Sequence, residues 1–320
     1  MQNLKPLKQP IKHALIATRQ AFGETLYEVM KENKSVVALT ADLGESLRML
    51  KIQEEMPERF FDIGVAEANM VGIAAGLALG GFVPVAGTFA VFMTMAFDHI
   101  RMQICQNNLH AVMVGSHGGV SNALDGGSAH ALEDIAYMRA LPNMTIIYPV
   151  DANQTEWAFR AAATLDGPVY LRLYREATAV FTGKDDVFKI GQANIHRTGN
   201  DVTIVAAGPS TVMALTAREQ LKIAGINAEV IGVHTIKPLD KETIIKSAQK
   251  TKRVVTVEDH NINGGLGSAV AEVLGEEQPT LLRRVGVTQF GESGTYPQLT
   301  ARLGIDAAGI VRAVQQIVNN

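Results

Sequence analysis

Between Ala17 and Tyr174 short apolar runs alternate with amphipathic helical stretches, and this alternation constrains the chain more than any other feature of its sequence. Residues 36–40 (VVALT), 112–115 (VMVG) and 145–148 (TIIY) are short and apolar almost throughout. A strand apolar on both faces needs cover on both, a condition met by a parallel sheet with crossover helices. The pattern breaks between about residues 176 and 198, where Gly183, Lys184, Asp185, Asp186, Gly191 and Gly199 interrupt any periodicity. It resumes with apolar runs at 202–206, 228–233 and 254–258, separated by helical stretches at 211–224 and 241–250. The expected organisation is two doubly wound α/β domains: residues 1–178, a linker over 179–198, and a smaller domain over 199–320. A length of 320 residues with 47% hydrophobic content suffices for two cores.

Charge narrows the range of partners. Lys+Arg number 29 and Asp+Glu 32, with no long run of one sign, so there is no electrostatic footprint for nucleic acid or for an anionic membrane. Cys105 is the single cysteine; it reads as a small buried hydrophobe in a reducing compartment and excludes a disulfide framework. The N-terminal stretch MQNLKPLKQPIKHALIATRQ carries charges and prolines where a signal peptide needs an apolar core. No apolar run reaches membrane-spanning length, and a cytoplasmic location is expected.

One segment combines unlike properties. GVAEANMVGIAAGLALGG is apolar and rich in small residues, which would let a helix pack closely on another, yet it opens on a single charge, Glu67. A carboxyl at the start of an apolar helix gains from the helix N-terminus, but its burial calls for a partner that uses its proton or its charge. Phe89 and Phe92 follow in GTFAVF.

The whole stretch, RFFDIGVAEANMVGIAAGLALGGFVPVAGTFAVFMTMAFDHIR, resembles the transketolase family in the order and spacing of its acid and aromatic motifs. The resemblance extends over nearly the whole chain and is closest to the C-terminal halves of transketolases divided between two polypeptides. It implies that Glu67 hydrogen-bonds a ring nitrogen of the thiamine diphosphate aminopyrimidine, promoting the tautomer that activates the thiazolium carbon. It implies also that Phe89 and Phe92 flank that ring. Met95 stands where family members often have a third aromatic. Arg19 in ATRQAFGETL, Asp42 and Ser46 in ADLGES, and Arg175 in YLRLYR fall at family positions. On that resemblance Asp42 lies on the cofactor side, and Arg19, Ser46 and Arg175 form a clamp for a substrate phosphate, for which the guanidinium fork is suited. Arg172, earlier in the same segment, is expected to face the other way along the strand. His117 in VGSHGG, with Asp125 and His130 in LDGGSAH, resembles the polar lining around the sugar, His117 and His130 serving proton transfer. The loop at 125–130 is one residue longer between its acid and its histidine than the common family pattern.

Full-length members of the family bind the diphosphate and its metal through a Gly-Asp-Gly stretch with a downstream Asn, and these 320 residues contain no such motif. The resemblance therefore implies an N-terminal partner subunit holding the diphosphate with Mg2+ or Ca2+. It implies also self-association through the C-terminal domain, a two-plus-two heterotetramer, and phosphorylated sugars of pentose phosphate or related carbohydrate metabolism as substrates. VEDHNINGGLGSAV resembles the family's assembly domain, so His260 is expected to be structural. Alternative readings are the beta subunit of a thiamine-dependent 2-oxoacid dehydrogenase, the C-terminal half of a deoxyxylulose-phosphate synthase, and a scaffold without catalysis. HALEDIAYMRALPNM and the paired arginines favour transketolase over the first, and GTFAVF over the second. Retention of Glu67, Phe89, Phe92, Arg19 and His117 together argues against the third.

Overall fold

In the computed structural model, which describes residues 14–183, 186 and 188–319, the apolar runs are the strands of two sheets. The N-terminal stretch up to residue 13, and Lys184 and Asp185 of the glycine-bearing segment, lie outside the described residues. The first sheet has seven strands in the spatial order Thr235–Lys237, Thr145–Ile147, Val169–Arg172, Val112–Ser116, Val83–Phe89, Val36–Thr40 and Phe60–Asp62. All pair in parallel except Thr235–Lys237, which is antiparallel to its neighbour.

Both faces of this sheet are buried, and strand alternation sorts its side chains. Val36, Ala38, Val85, Val112, Val114 and Leu171 face one core. It is closed by the helices Thr18–Glu32 and Ala152–Ala162, where Phe22 meets Phe159 edge to face at 5.2 Å. Val37, Leu39, Ala86 and Met113 face the other core, under the helix Glu67–Leu79 and the π-helical turn Ile100–Cys105. Cys105 is buried there, and desolvation raises its thiol pKa to about 11. Asp151 caps Ala152–Ala162 through Gln154 N at 3.0 Å and accepts from Phe181 N, Thr182 N and Thr182 Oγ1, tying the end of the first domain to this helix.

The second sheet has the order Leu281–Val287, Arg253–Asn261, Val202–Ala207, Ala228–Val233, Asn194–Arg197, parallel but for the last. Helices Ser210–Ile223, Lys241–Thr251, Leu266–Glu277 and Ala307–Val318 cover it. Two features depart from the sequence reading. Asn194–Arg197, read there as the end of the linker, is an edge strand whose Ile195 faces outward, so no apolar alternation marks it. Thr235–Lys237, from the second half of the chain, completes the first sheet rather than the second.

A buried ion pair of the first domain also reaches the second. Arg172, wholly buried, faces away from the strand ends as expected and binds Asp134 through Nε–Oδ2 at 2.7 Å and Nη2–Oδ1 at 2.9 Å. It also donates to the carbonyls of Ala131 and, in the second domain, Asp259, and stacks on Tyr148 at 4.6 Å. Removing one partner of such a pair strands a charge in the interior. Asp134→Ala is therefore expected to lower stability by about 3–5 kcal/mol in urea unfolding, whereas Arg175→Ala, which removes a half-exposed guanidinium, should leave the midpoint nearly unchanged.

Candidate functional site

In the first sheet the strand order reverses between Val36–Thr40 and Val83–Phe89, and the crevice beyond the carboxyl ends of such strands is where open α/β sheets bind ligands. The candidate residues leave from those ends. Asp42 and Ser46 follow Val36–Thr40, Glu67 follows Phe60–Asp62, and Phe89 ends its strand. His117 follows Val112–Ser116, and Arg175 follows Val169–Arg172. Arg19 lies in the first turn of Thr18–Glu32, held beside Arg175 because Tyr174 N donates to Thr18 Oγ1 at 2.7 Å. Asp42, Arg48, His117 and Ala123 all have positive φ although none is glycine. Strained backbone persists where its surroundings over-determine it, and here it gathers around one crevice.

His117 is at the centre. Its ring lies 3.9 Å from that of Phe89, its Nδ1 is 2.9 Å from Ser116 Oγ, and its Nε2 is 3.4 Å from Arg19 Nη1. A guanidinium can only donate, so Nε2 carries the lone pair and Nδ1 the proton. Burial, then the charges of Arg19, Arg175 and Arg48, push the imidazole pKa down to about 2. Arg19 itself is lowered, first by desolvation and then by Arg48 and Arg175, and its Nε is buried without a partner. Arg175 is held by Asp125 Oδ2 at 2.9 Å and by Asn122 through its carbonyl at 3.1 Å and Oδ1 at 3.2 Å. Arg19 thus touches a neutral histidine that also lies in the fields of Arg175 and of the exposed Arg48, an arrangement suited to an anionic group with more than one charge.

Arg48 is a member the sequence reading misses. Its left-handed backbone and its fit against Gly23, where a Cβ would fall 2.4 Å from the Arg48 carbonyl, set its place, and neither is visible in ADLGESLRML. Ser46 meets Arg19 through its carbonyl at 2.9 Å, leaving its hydroxyl open. Asp42 is exposed, its N–H bound to Asp62 at 2.9 Å.

Glu67 is the first residue of its helix and is buried, and its carboxylate makes no hydrogen bond or ion pair among the described residues. The helix packs on the turn Phe92–Ala96. Phe89 and Phe92 are nearly parallel, with centroids 5.5 Å apart. A third ring between them would need about 7 Å at ordinary carbon contact, so they form one continuous wall rather than two jaws. Ala74 and Ala75 of this helix are buried in the core, but its glycines do not serve close packing within the chain. A Cβ at Gly76 would meet nothing, and one at Gly72 only the end of Gln103. Along the same flank Val65 is 80%, Leu79 75% and Met95 71% exposed, with Phe82 and Met102 partly so.

His130 is placed apart from this group. The sequence reading sets it beside the sugar, but its ring is buried beneath Gly291 of the second domain, and neither nitrogen makes a hydrogen bond of good geometry, the Ala123 backbone being the group that comes nearest to one. Desolvation lowers its pKa. His260 is buried at the domain junction, its Nδ1 2.7 Å from the Asn261 carbonyl and its Nε2 accepting from Ala136 N. Among the described residues no cluster of His, Cys, Asp or Glu could hold a metal, and no helix is long and apolar enough to cross a membrane.

Fold and site define a two-domain α/β subunit with an acid, an aromatic wall and a cationic crevice at the strand ends of its first domain. The chain belongs to the transketolase family: residues 14–180 match the transketolase pyrimidine-binding domain and residues 191–310 the transketolase C-terminal domain. It has the extent of a split-transketolase C-terminal subunit. It is 42% identical to the 6-deoxy-6-sulfo-D-fructose transketolase subunit SqwH of a Clostridium species, over 93% of this chain and 94% of that one. It is 40% identical to 1-deoxy-D-xylulose-5-phosphate synthase 1 of Geobacter sulfurreducens, over 92% of this chain and 47% of the synthase. Among solved structures, a split-gene transketolase described as an inactive beta4 tetramer superposes with a TM-score of 0.89 at 43% identity, covering 95% of this chain and 99% of that one. The family is thiamine diphosphate-dependent. The uncommitted carboxylate of Glu67 beside the aromatic wall fits the pyrimidine half of that cofactor.

Because the folded His117 pKa lies below the ordinary value of about 6.5, the unfolded chain binds the extra proton first. This histidine's contribution to stability is thus full above about 6.5 and lost as pH falls from there toward 2. In an NMR titration from pH 5 to 8 its Hε1 resonance should stay flat. Arg19→Gln should raise its pKa yet leave it below the ordinary value, since burial is the larger cause.

Proposed function

We propose that this chain is the C-terminal subunit of a split transketolase, transferring a two-carbon ketol unit from a ketose phosphate to an aldose phosphate in sugar phosphate metabolism. The observation that carries this reading is the convergence of Arg19, Arg48 and Arg175 on a neutral His117, on the same strand ends as Glu67 and the Phe89–Phe92 wall. Thiamine diphosphate, when bound, supplies the carbanion stabilisation that carbon–carbon cleavage requires.

The residues divide that work. Glu67 presents a carboxyl to a ring nitrogen of the aminopyrimidine and holds a proton there, in a setting from which the aromatic wall excludes water. Asp42, exposed beside the switch point, lies toward the same cofactor side. Arg19 and Arg175 bind the phosphate terminus of the sugar, with the open Ser46 hydroxyl assisting and Arg48 adding to the field. His117, kept uncharged, turns the lone pair that Arg19 engages in the resting site toward a sugar hydroxyl, and it becomes basic enough to take that proton only once the substrate anion offsets the charges of Arg19 and Arg175. Asp125 holds Arg175 at the edge of the crevice. The clostridial relative is named for a sulfo-sugar; a phosphate dianion gains more from three guanidiniums than a singly charged sulfonate of the same shape.

An N-terminal partner subunit, holding the diphosphate and its Mg2+ or Ca2+, would cover the apolar flank of Val65, Leu79 and Met95, which is unusual on a free surface. Self-association through the second domain would complete a two-plus-two heterotetramer. The four-copy assembly named for the split-gene relative supports the capacity of such chains to associate with themselves.

Two substitutions test the reading in the complex reconstituted with such a partner. Glu67→Gln is nearly isosteric but cannot perform the proton role, so assembly should persist while hydrogen–deuterium exchange at the thiazolium carbon slows sharply; exchange at the parent rate would remove Glu67 from its role. Arg175→Ala should raise KM for a ketose phosphate by roughly one to two orders of magnitude, the equivalent of about 1.5–3 kcal/mol for a charge-assisted bond. Hydroxypyruvate, which has no phosphate, should be nearly unaffected. Equal loss with both donors would make the arginine structural. A preference for pyruvate and glyceraldehyde phosphate would favour a deoxyxylulose-phosphate synthase instead.

A further inference from the structure

The loop between His117 and Asp134 belongs to the first domain by sequence but is built into the second. Its neck is closed by Gly119 and Ala131, whose backbones exchange hydrogen bonds of 2.9 and 3.1 Å. There Asp259 of the second domain accepts from Val120 N at 3.1 and 3.2 Å and from Tyr174 Oη at 2.7 Å, and Asn261 N donates to the Leu132 carbonyl at 2.8 Å. Only glycine leaves room for that carboxylate, since a Cβ at Gly119 would fall 2.2 Å from Asp259 Cγ. Val120, Ala123 and Leu132 lie in the hydrophobic core of the second domain, with Val257, Val287 and Leu299.

The tip of the loop meets a second contact. A Cβ at Gly126 would stand 2.7 Å from Ser293 Oγ, one at Gly127 2.3 Å from the Gly291 carbonyl, and one at Gly291 2.0 Å from His130 Nδ1. The backbone of residues 291–293 therefore rests directly on residues 126–130, with the His130 ring wedged under Gly291. The turn just before, at residues 122–125, supplies every hydrogen bond that holds the Arg175 guanidinium.

We propose that the second domain sets substrate specificity in this site: its segment 291–293, seated on residues 126–130, fixes the Asn122–Asp125 turn and so aims Arg175 at the anionic end of the sugar. Gly291 is a positioning residue and touches no substrate. His130 is the wedge through which Gly291 acts, a buried imidazole held by packing against that backbone rather than by a hydrogen bond of good geometry. The inference rests on the proposed role of Arg175 in gripping the substrate anion.

The test is Gly291→Ala in the full chain, with Gly275→Ala as control because a Cβ there meets nothing. In the chain alone, amide exchange over residues 122–131 should quicken by about tenfold or more while the helix Ala152–Ala162 keeps its protection. In the reconstituted complex, KM for a ketose phosphate should rise about tenfold, as for partial loss of one charge-assisted bond, with hydroxypyruvate turnover within about twofold of the parent. Unchanged exchange over 122–131, or equal loss with both donors, would overturn the proposal. Should Gly291→Ala fail to fold, Ser293→Leu, at an exposed position beside Gly126, should shift both readouts in the same direction and less far; no shift would overturn the proposal equally. If the parent complex turns over neither donor, the split-transketolase reading fails, and the exchange measurement still decides whether the second domain holds the loop.

Discussion

A parallel sheet buried on both faces has only its strand ends free for chemistry, and the first domain depends on this restriction. Its side chains are committed to two cores, one against the paired helices Thr18–Glu32 and Ala152–Ala162 and the other against Glu67–Leu79. Polar function is confined to the carboxyl edge, where the reversal of strand order opens a crevice. That confinement brings residues as distant in sequence as Arg19 and Arg175 to the same place. The backbone gives up its ordinary conformations there, at Asp42, Arg48, His117 and Ala123, to present side chains that the regular elements cannot.

Two arginines three residues apart show how position decides chemistry. Arg172 lies within its strand, is wholly buried and is neutralised by Asp134 of the same domain, and it reaches the second domain through the Asp259 carbonyl. Arg175, just beyond the strand, is half exposed, and among the described residues its one ion pair is with Asp125, itself partly exposed. The field of Arg175 therefore reaches the crevice, where with Arg19 and Arg48 it adds to burial, the larger cause, in keeping His117 neutral. A cationic imidazole beside those guanidiniums would repel them. The neutral form costs least, and it is also the form that can accept a proton.

The sheet was legible because buried parallel strands are apolar along their whole length, a signal that survives without knowledge of their partners. Edge strands carry no such signal, and Asn194–Arg197 passed for linker because Ile195 faces outward and polar residues surround it. Thr235–Lys237 was invisible for a different reason: sheet membership across a domain boundary is a property of the assembled chain. At the site, Glu67, the aromatics, Arg19 and Arg175 were legible through the spacing of family motifs. Arg48 depends on a positive φ, and the inward turn of His130 depends on Gly291, some 160 residues away along the chain; neither can be read from local pattern.

The glycines of the second domain's contact loop give the last step. Backbone-to-backbone approach at Gly127 and Gly291 leaves no side chain to yield, so a displacement on one side must move the other. At the neck of the same loop, Asp259 joins Val120, Tyr174 and, through its carbonyl, Arg172 in one buried set of bonds. The buried ion pair and the loop that carries Asn122 and Asp125 therefore share a support, and that support belongs to the second domain. Had the second domain served association alone, its outer face could have met a partner while its inner face touched the first domain anywhere. Instead its inner face encloses Val120, Ala123 and Leu132 in its own core, so the loop at the carboxyl edge of the first domain takes its shape against the second.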